Sequence, residues 1–291
     1  MRAELALSAF LLAAAALPAA ARPRVPRPSA DALILKAFSA PGAGLRGRER
    51  LQFFPVGAEP RGMTALVEIL PDGSLRREMP VGKRVKRPLV FVRAGWRAML
   101  WWPKKNEFRS GPALEETPRA VLARLKSFYT LSVSTAGHVA KRRTWRVDMT
   151  APGGVLRRSL WVDRKTGLLL KSEDYRADGS LLRRRRYLKL EFPADTAPAD
   201  LRLEAPAGAR LLTWTEPEKG AAAPEARLPR WLPDGFLLVS VARAEGAVAA
   251  LYSDGAASFT VTEGAGRAPR AAGDLTPDEL ARVLSSLPEG R

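Results

Sequence analysis

Across residues 51–192 short β-prone segments recur with turn signals between them, a pattern that leaves few folds open to the chain. Met63, Ala65, Val67 and Ile69 share one face of an extended segment, with Thr64, Leu66 and Glu68 on the other. Pro71-Asp72-Gly73 then reads as a hairpin turn. Residues 89–93 form the next segment, Ala94-Gly95 a tight turn, and residues 96–102 the return, stopped by Pro103. Further on, Trp145, Val147 and Met149 alternate with Arg146 and Asp148. Residues 159–162 lead into Asp163-Arg164-Lys165-Thr166-Gly167, whose glycine suits a left-handed bulge position, and residues 168–175 answer them. Ala177-Asp178-Gly179 turns into a last segment, 181–192. A ladder of hairpins with short loops is an antiparallel meander.

Two helices interrupt it. Ser29 caps one that carries Leu33, Ile34 and Ala37. Thr117 caps the other, with Pro118 in its first turn and Val121, Leu122, Leu125, Phe128 and Tyr129 at helical spacing. So few helices cover only one face or mouth of the sheet, and the expected class is α+β.

The last segment sets arginines against this pattern. Leu188, Leu190 and Phe192 share one face, and a period of two carried backwards puts Arg184 and Arg186 on it, with Arg183 and Arg185 outside. A guanidinium inside a sheet is costly unless paired or hydrated. Either a bulge or an exposed strand end removes the conflict, or the interior opens to a cavity where the planar fork meets phosphate or carboxylate. Trp101 and Trp102 are adjacent, so their rings face opposite ways. One of them is at the surface or in a second apolar environment, such as a hollow suited to an acyl chain.

Charge narrows the partners. The 291-residue chain holds 48 Lys+Arg against 30 Asp+Glu, a formal net charge of +18, with one histidine and no cysteine. The charge is uneven: residues 1–204 hold 39 basic and 19 acidic side chains, and the remainder holds 9 and 11. Such a balance points to a polyanionic partner. The N-terminus says which kind. Arg2, a charge-free apolar run over residues 5–17 and the small residues Ala19 and Ala21 form the layout of a secretory signal peptide cleaved after Ala21. Export to the periplasm moves the chain away from nucleic acid and towards envelope phosphates, anionic headgroups and acidic protein segments. The absence of cysteine excludes disulfides, thiolate chemistry and an acylated N-terminal cysteine. The lone His138 makes a triad or His-rich metal site untenable, and Gly153-Gly154 lacks the strand–loop–helix context of a phosphate loop. No enzyme and no cofactor is expected.

The run 158–173, Arg-Ser-Leu-Trp-Val-Asp-Arg-Lys-Thr-Gly-Leu-Leu-Leu-Lys-Ser-Glu, followed by Ala177-Asp178-Gly179 and the strand 187–192, resembles the MucB/RseB family of periplasmic sigma-E regulators. Residues 95–103, Gly-Trp-Arg-Ala-Met-Leu-Trp-Trp-Pro, are similar to a hairpin of the wider LolA/LolB-like lipoprotein-carrier superfamily. Residues 228–236 and 251–261 resemble the small C-terminal domain of MucB/RseB, which plain carriers lack. The resemblance implies a curved antiparallel half-barrel with a few capping helices, followed by a small α/β C-terminal domain. It implies a regulator that binds the periplasmic segment of a membrane anti-sigma factor and senses amphiphiles, either lipopolysaccharide or lipoprotein acyl chains. A LolA-like periplasmic carrier of lipid or lipoprotein without a signalling partner is the alternative, and the protein is expected to be peripheral to the membrane at most. The corresponding division is a signal peptide at 1–21, a flexible stretch at 22–30, the half-barrel at 31–204, a linker at 205–226 and the C-terminal domain at 227–291. Ligand-binding candidates are Trp101, Trp102, Trp145, Trp161, Arg184 and Arg186; partner-binding candidates are Trp231, Tyr252 and Asp254. After Glu263 the chain departs from the family pattern, running through Gly, Ala, Pro and Arg straight to a helix capped by Thr276, which shortens the expected C-terminal sheet.

Overall fold

The computed structural model describes residues 26–80, 87–113, 117–176, 178–193, 201, 203–215, 227–233, 236–244, 247–254, 257–264 and 266–288. The expected signal peptide, the stretch 216–226 of the expected linker and most of the basic run 83–87 lie outside them.

Helix α1 (Ala30–Phe38) starts where Ser29 accepts a hydrogen bond from the Ala32 N–H. Six strands follow: β1 (Leu45–Phe53), β2 (Arg61–Ile69), β3 (Leu75–Met79), β4 (Leu89–Ala94), β5 (Arg97–Trp102) and β6 (Glu107–Pro112). Helix α2 (Pro118–Phe128) is capped by Thr117, whose hydroxyl accepts from Ala120 N–H at 3.2 Å. A second run holds β7 (Thr130–Val139), β8 (Arg142–Thr150), β9 (Leu156–Asp163), β10 (Leu169–Tyr175) and β11 (Leu181–Glu191). The chain ends with β12 (Arg210–Thr215), β13 (Leu237–Ala244), β14 (Ala247–Ser253), β15 (Ser258–Gly264), β16 (Arg267–Gly273) and α3 (Pro277–Ser285).

The sixteen strands of the described residues join one sheet, in the order β16-β15-β14-β13-β12-β6-β5-β4-β3-β2-β1-β11-β10-β9-β8-β7. Every pairing is antiparallel except that of β12 with β6. The expected hairpins are present, and Gly73 and Gly167 take the positive φ their turns require. Helices α1 and α2 lie on one face, over β7–β9. Leu33, Ile34, Val121 and Leu125 bury against Trp145, Val147, Met149, Leu160 and Val162. Burial of this kind is worth about 1.5–3 kcal/mol per large apolar side chain. A second core, of Tyr252, Phe259, Val261 and Val283, packs β14 and β15 against α3.

Three expectations need correction. Trp96 lies in the turn before β5, not in a strand, and is 73 % exposed. Residues 210–215 of the expected linker form β12, because their backbone finds partners on both β6 and β13. The C-terminal sheet is not cut short after Glu263: residues 267–273 pair with β15 as an edge strand, where Pro269 needs no outer hydrogen bond.

Candidate functional site

Between α1, α2 and the inner face of the sheet is a cavity of about 750 Å³. This is within the usual range for small-molecule sites. Its apolar surface comes from Phe38, Leu45, Ile69, Val121, Leu125 and Leu169. Among the described residues five arginines also line it, Arg77, Arg93, Arg124, Arg158 and Arg185, against a single acidic residue, Asp72.

Two buried carboxylates position four of the surrounding guanidiniums. Glu49 points inward from β1 and is fully buried. Arg77 approaches it at 3.0 Å and Arg185 at 3.2 Å, as ion pairs without aligned hydrogen bonds. Asp174, also buried, accepts from Arg158 Nε at 2.5 Å and from Arg183 Nε at 2.7 Å. Burial raises the Asp174 carboxyl, but the neighbouring Arg158 and then Arg183 outweigh it and hold the group below its ordinary value. Burial likewise opposes the charge on Arg158, and Asp174 more than restores it. Each carboxylate is thus shared by two cations. Arg93 donates to the Gly73 carbonyl at 2.9 Å, fixing the β2–β3 turn at the rim. Tyr187 covers the floor, and its phenol is pushed up to about 12 by burial and by the charge of Glu49.

The arrangement can hold an amphiphile, with an apolar tail along the leucines and an anionic group among guanidinium forks. Among the described residues no three His, Asp or Glu side chains gather as a metal site. No described helix is long and apolar enough to cross a membrane.

The six ligand candidates fall on both faces of the sheet, and none lines the cavity. Trp145 is beneath α1 and α2, with the Arg164 guanidinium 4.1 Å from its ring. Trp161 is on the opposite face, between Lys171 at 3.7 Å and Arg146 at 5.2 Å. Trp101 and Trp102 do face opposite ways. Trp101 packs with Val90, Val92, Phe108, Leu201 and Leu203, away from the cavity. Trp102 is half-buried with the Lys105 ammonium 4.3 Å from its ring. Arg184 and Arg186 lie on the outer face, contrary to the periodicity. The register of β11 on β1 slips by one at Leu188, so parity reverses there. Tyr187 and Arg185 face inward instead.

The cavity arginines had one local signal, a lone acid, Glu49, among the inward positions Leu45, Gly47 and Leu51 of β1. Of the partner candidates, Trp231 is half-buried under Arg282, 4.2 Å from its ring. Tyr252 stacks on Phe259 inside the C-terminal core. Asp254 is buried and accepts a hydrogen bond from Tyr129, across from the C-cap of α2.

The MucB/RseB N-terminal domain model matches residues 103–205, which span β6 to β11 and supply Arg124, Arg158 and Arg185. The MucB of the Pseudomonas aeruginosa MucA/MucB complex aligns over 90 % of this chain and 99 % of its own, with TM-score 0.59 at 19 % identity. A structure of MucB bound to MucA(peri) aligns over 90 % and 100 % with the same score and identity. A further structure, of MucB, aligns over 89 % and 98 %, with TM-score 0.58 at 20 % identity. No curated protein matches. Residues 103–205 thus match the MucB/RseB N-terminal domain model, within a chain that has the fold of MucB.

Proposed function

We propose that this protein is a periplasmic regulator of the MucB type, which binds the periplasmic segment of a membrane anti-sigma factor and senses an anionic amphiphile in the cavity. The observation that carries this reading is the cavity itself: a hollow of mixed apolar and cationic lining beneath α1 and α2, with five arginines and one acidic residue among the described residues on its walls. Lipopolysaccharide and acylated lipoprotein offer the matching chemistry, acyl chains joined to a polar or phosphorylated head. The partner half rests on the fold, since MucB with this topology is bound to MucA in two of the matched structures. The C-terminal strands β13–β16 with α3 favour a regulator over a single-domain lipid carrier.

The test has two arms. The protein, immobilised, is expected to retain a single-pass anti-sigma protein from inner-membrane extract and to release it when lipopolysaccharide is added. Arg124→Gln, on the helical wall of the cavity, is expected to weaken lipopolysaccharide binding about tenfold, as loss of one charge-assisted contact does. Retention of no such protein with or without lipopolysaccharide defeats the regulatory half. Unchanged amphiphile affinity in the variant defeats the cavity half.

A further inference from the structure

The face of the sheet opposite the cavity carries a second cationic site. On β1 the exposed residues Arg48 and Arg50 alternate with the inward Glu49, and Arg50 is directly opposite Arg186 on β11. Arg186 in turn is directly opposite Lys171 on β10, so three cations stand side by side across three strands. Directly opposed side chains in a sheet lie about 5 Å apart, and like charges so placed are destabilising. Lys171 is compensated by Glu173 at 3.0 Å and by the Trp161 ring. Arg48, Arg50 and Arg186 make no ion pair or side-chain hydrogen bond among the described residues, although Arg46 and Lys189 beside them are paired with Glu68 and Glu191. Leu66, directly opposite Arg48, is 56 % exposed, and Leu188, at the bulge, is 41 % exposed.

We propose that this outer patch docks on the surface of an anionic lipid bilayer, with phosphates satisfying Arg48, Arg50 and Arg186 while Leu66 and Leu188 enter the headgroup layer. The occupant follows from the two kinds of group together. Uncompensated guanidiniums call for a dense array of anions, and the exposed Leu66 on the same face, with the exposed Leu188 at the adjoining bulge, calls for an apolar layer beneath it; a bilayer surface offers both. The site is separate from the cavity, so it stands or falls independently of the amphiphile reading.

The test is sedimentation of the protein with vesicles of phosphatidylcholine, alone or mixed with phosphatidylglycerol. Binding is expected only to the anionic vesicles and is expected to fall as salt rises. Each arginine near such a surface contributes roughly a fivefold factor in affinity, so the triple variant R48Q/R50Q/R186Q should lose about 100-fold. Removing the clash should leave the triple variant's melting temperature unchanged or higher, which separates lost docking from lost folding. L66S/L188S should weaken binding several-fold, and the cavity variant Arg124→Gln should bind as the parent does. Parent-like sedimentation of the triple variant overturns the proposal. So does loss of sedimentation in Arg124→Gln, which would mean lipid uptake by the cavity. Binding to soluble polyglutamate as tight as to vesicles, unaffected by L66S/L188S, overturns it in favour of an acidic protein segment.

Discussion

Gly47 shows how closely the cavity floor is fitted. A Cβ at this position would stand 2.9 Å from two ring carbons of Tyr187 and 2.9 Å from the backbone oxygen of Lys189. The need for glycine here is a matter of space, since the Tyr187 ring crosses β1 where any side chain would be. Gly137 in β7 is a contrast, with nothing within 4 Å of its would-be Cβ. Gly47→Ala is therefore expected to destabilise the protein by about 1–3 kcal/mol in urea unfolding, as overpacking does, while Gly137→Ala stays within about 0.5 kcal/mol of the parent. Equal stabilities for the two variants would refute the fitted floor. Because Tyr187 lines the cavity, Gly47→Ala should also alter the near-ultraviolet circular dichroism of the tyrosines.

Along β10 and β11, the structure departs from what alternation foretells. The caps at Ser29, Thr117 and Thr276, the hairpin glycines and the inward set Ala65, Val67 and Ile69 were all legible, because each is fixed by residues a few positions away. The slip at Leu188 was not. It depends on how β11 meets β1, strands separated by more than a hundred residues, and it alone exchanges Arg184 and Arg186 for Arg183 and Arg185 on the cavity side. Once inward, Arg183 and Arg185 need the buried acids, and Arg183 has Asp174. The folded pKa of Asp174 lies below the ordinary 3.8, so its contribution to stability is complete above that value and is lost as the pH falls through the lowered native one. Stability measured by urea unfolding should decline through this acid window more steeply in the parent than in Asp174→Asn. At neutral pH the variant should be less stable by about 3–5 kcal/mol, because two guanidiniums lose their shared carboxylate. Parallel pH profiles for the two proteins would remove Asp174 from the account.

At the scale of the molecule, the sequence marks a basic part and a near-neutral part, and the structure shows how they are joined. β12 is the seam. It pairs in parallel with β6 and antiparallel with β13, and Asn106 reinforces it through its side chain to the Gly208 carbonyl at 2.8 Å and its carbonyl to Arg210 N–H at 2.8 Å. A second join lies away from the seam: Tyr129, the C-cap of α2, donates to Asp254 in the connection between β14 and β15. Burial and the Asp254 charge both hold the Tyr129 phenol neutral, well above its ordinary value, so the donor is kept throughout the physiological range. Asp254 also accepts from Ala257 N–H at 2.6 Å, which ties the same carboxylate to the C-terminal core. Tyr129→Phe removes this hydrogen bond from a buried carboxylate, at a cost of about 1–3 kcal/mol. That cost falls on the docking of β14 and β15 against α2, not on β7–β9 under the helices, where the ring stays packed. Hydrogen exchange should accordingly show amides of β14 and β15 losing protection in Tyr129→Phe while those of β8 and β9 keep theirs. If protection fell equally in both sets, the hydrogen bond would belong to the general core, and β12 alone would hold the two parts together.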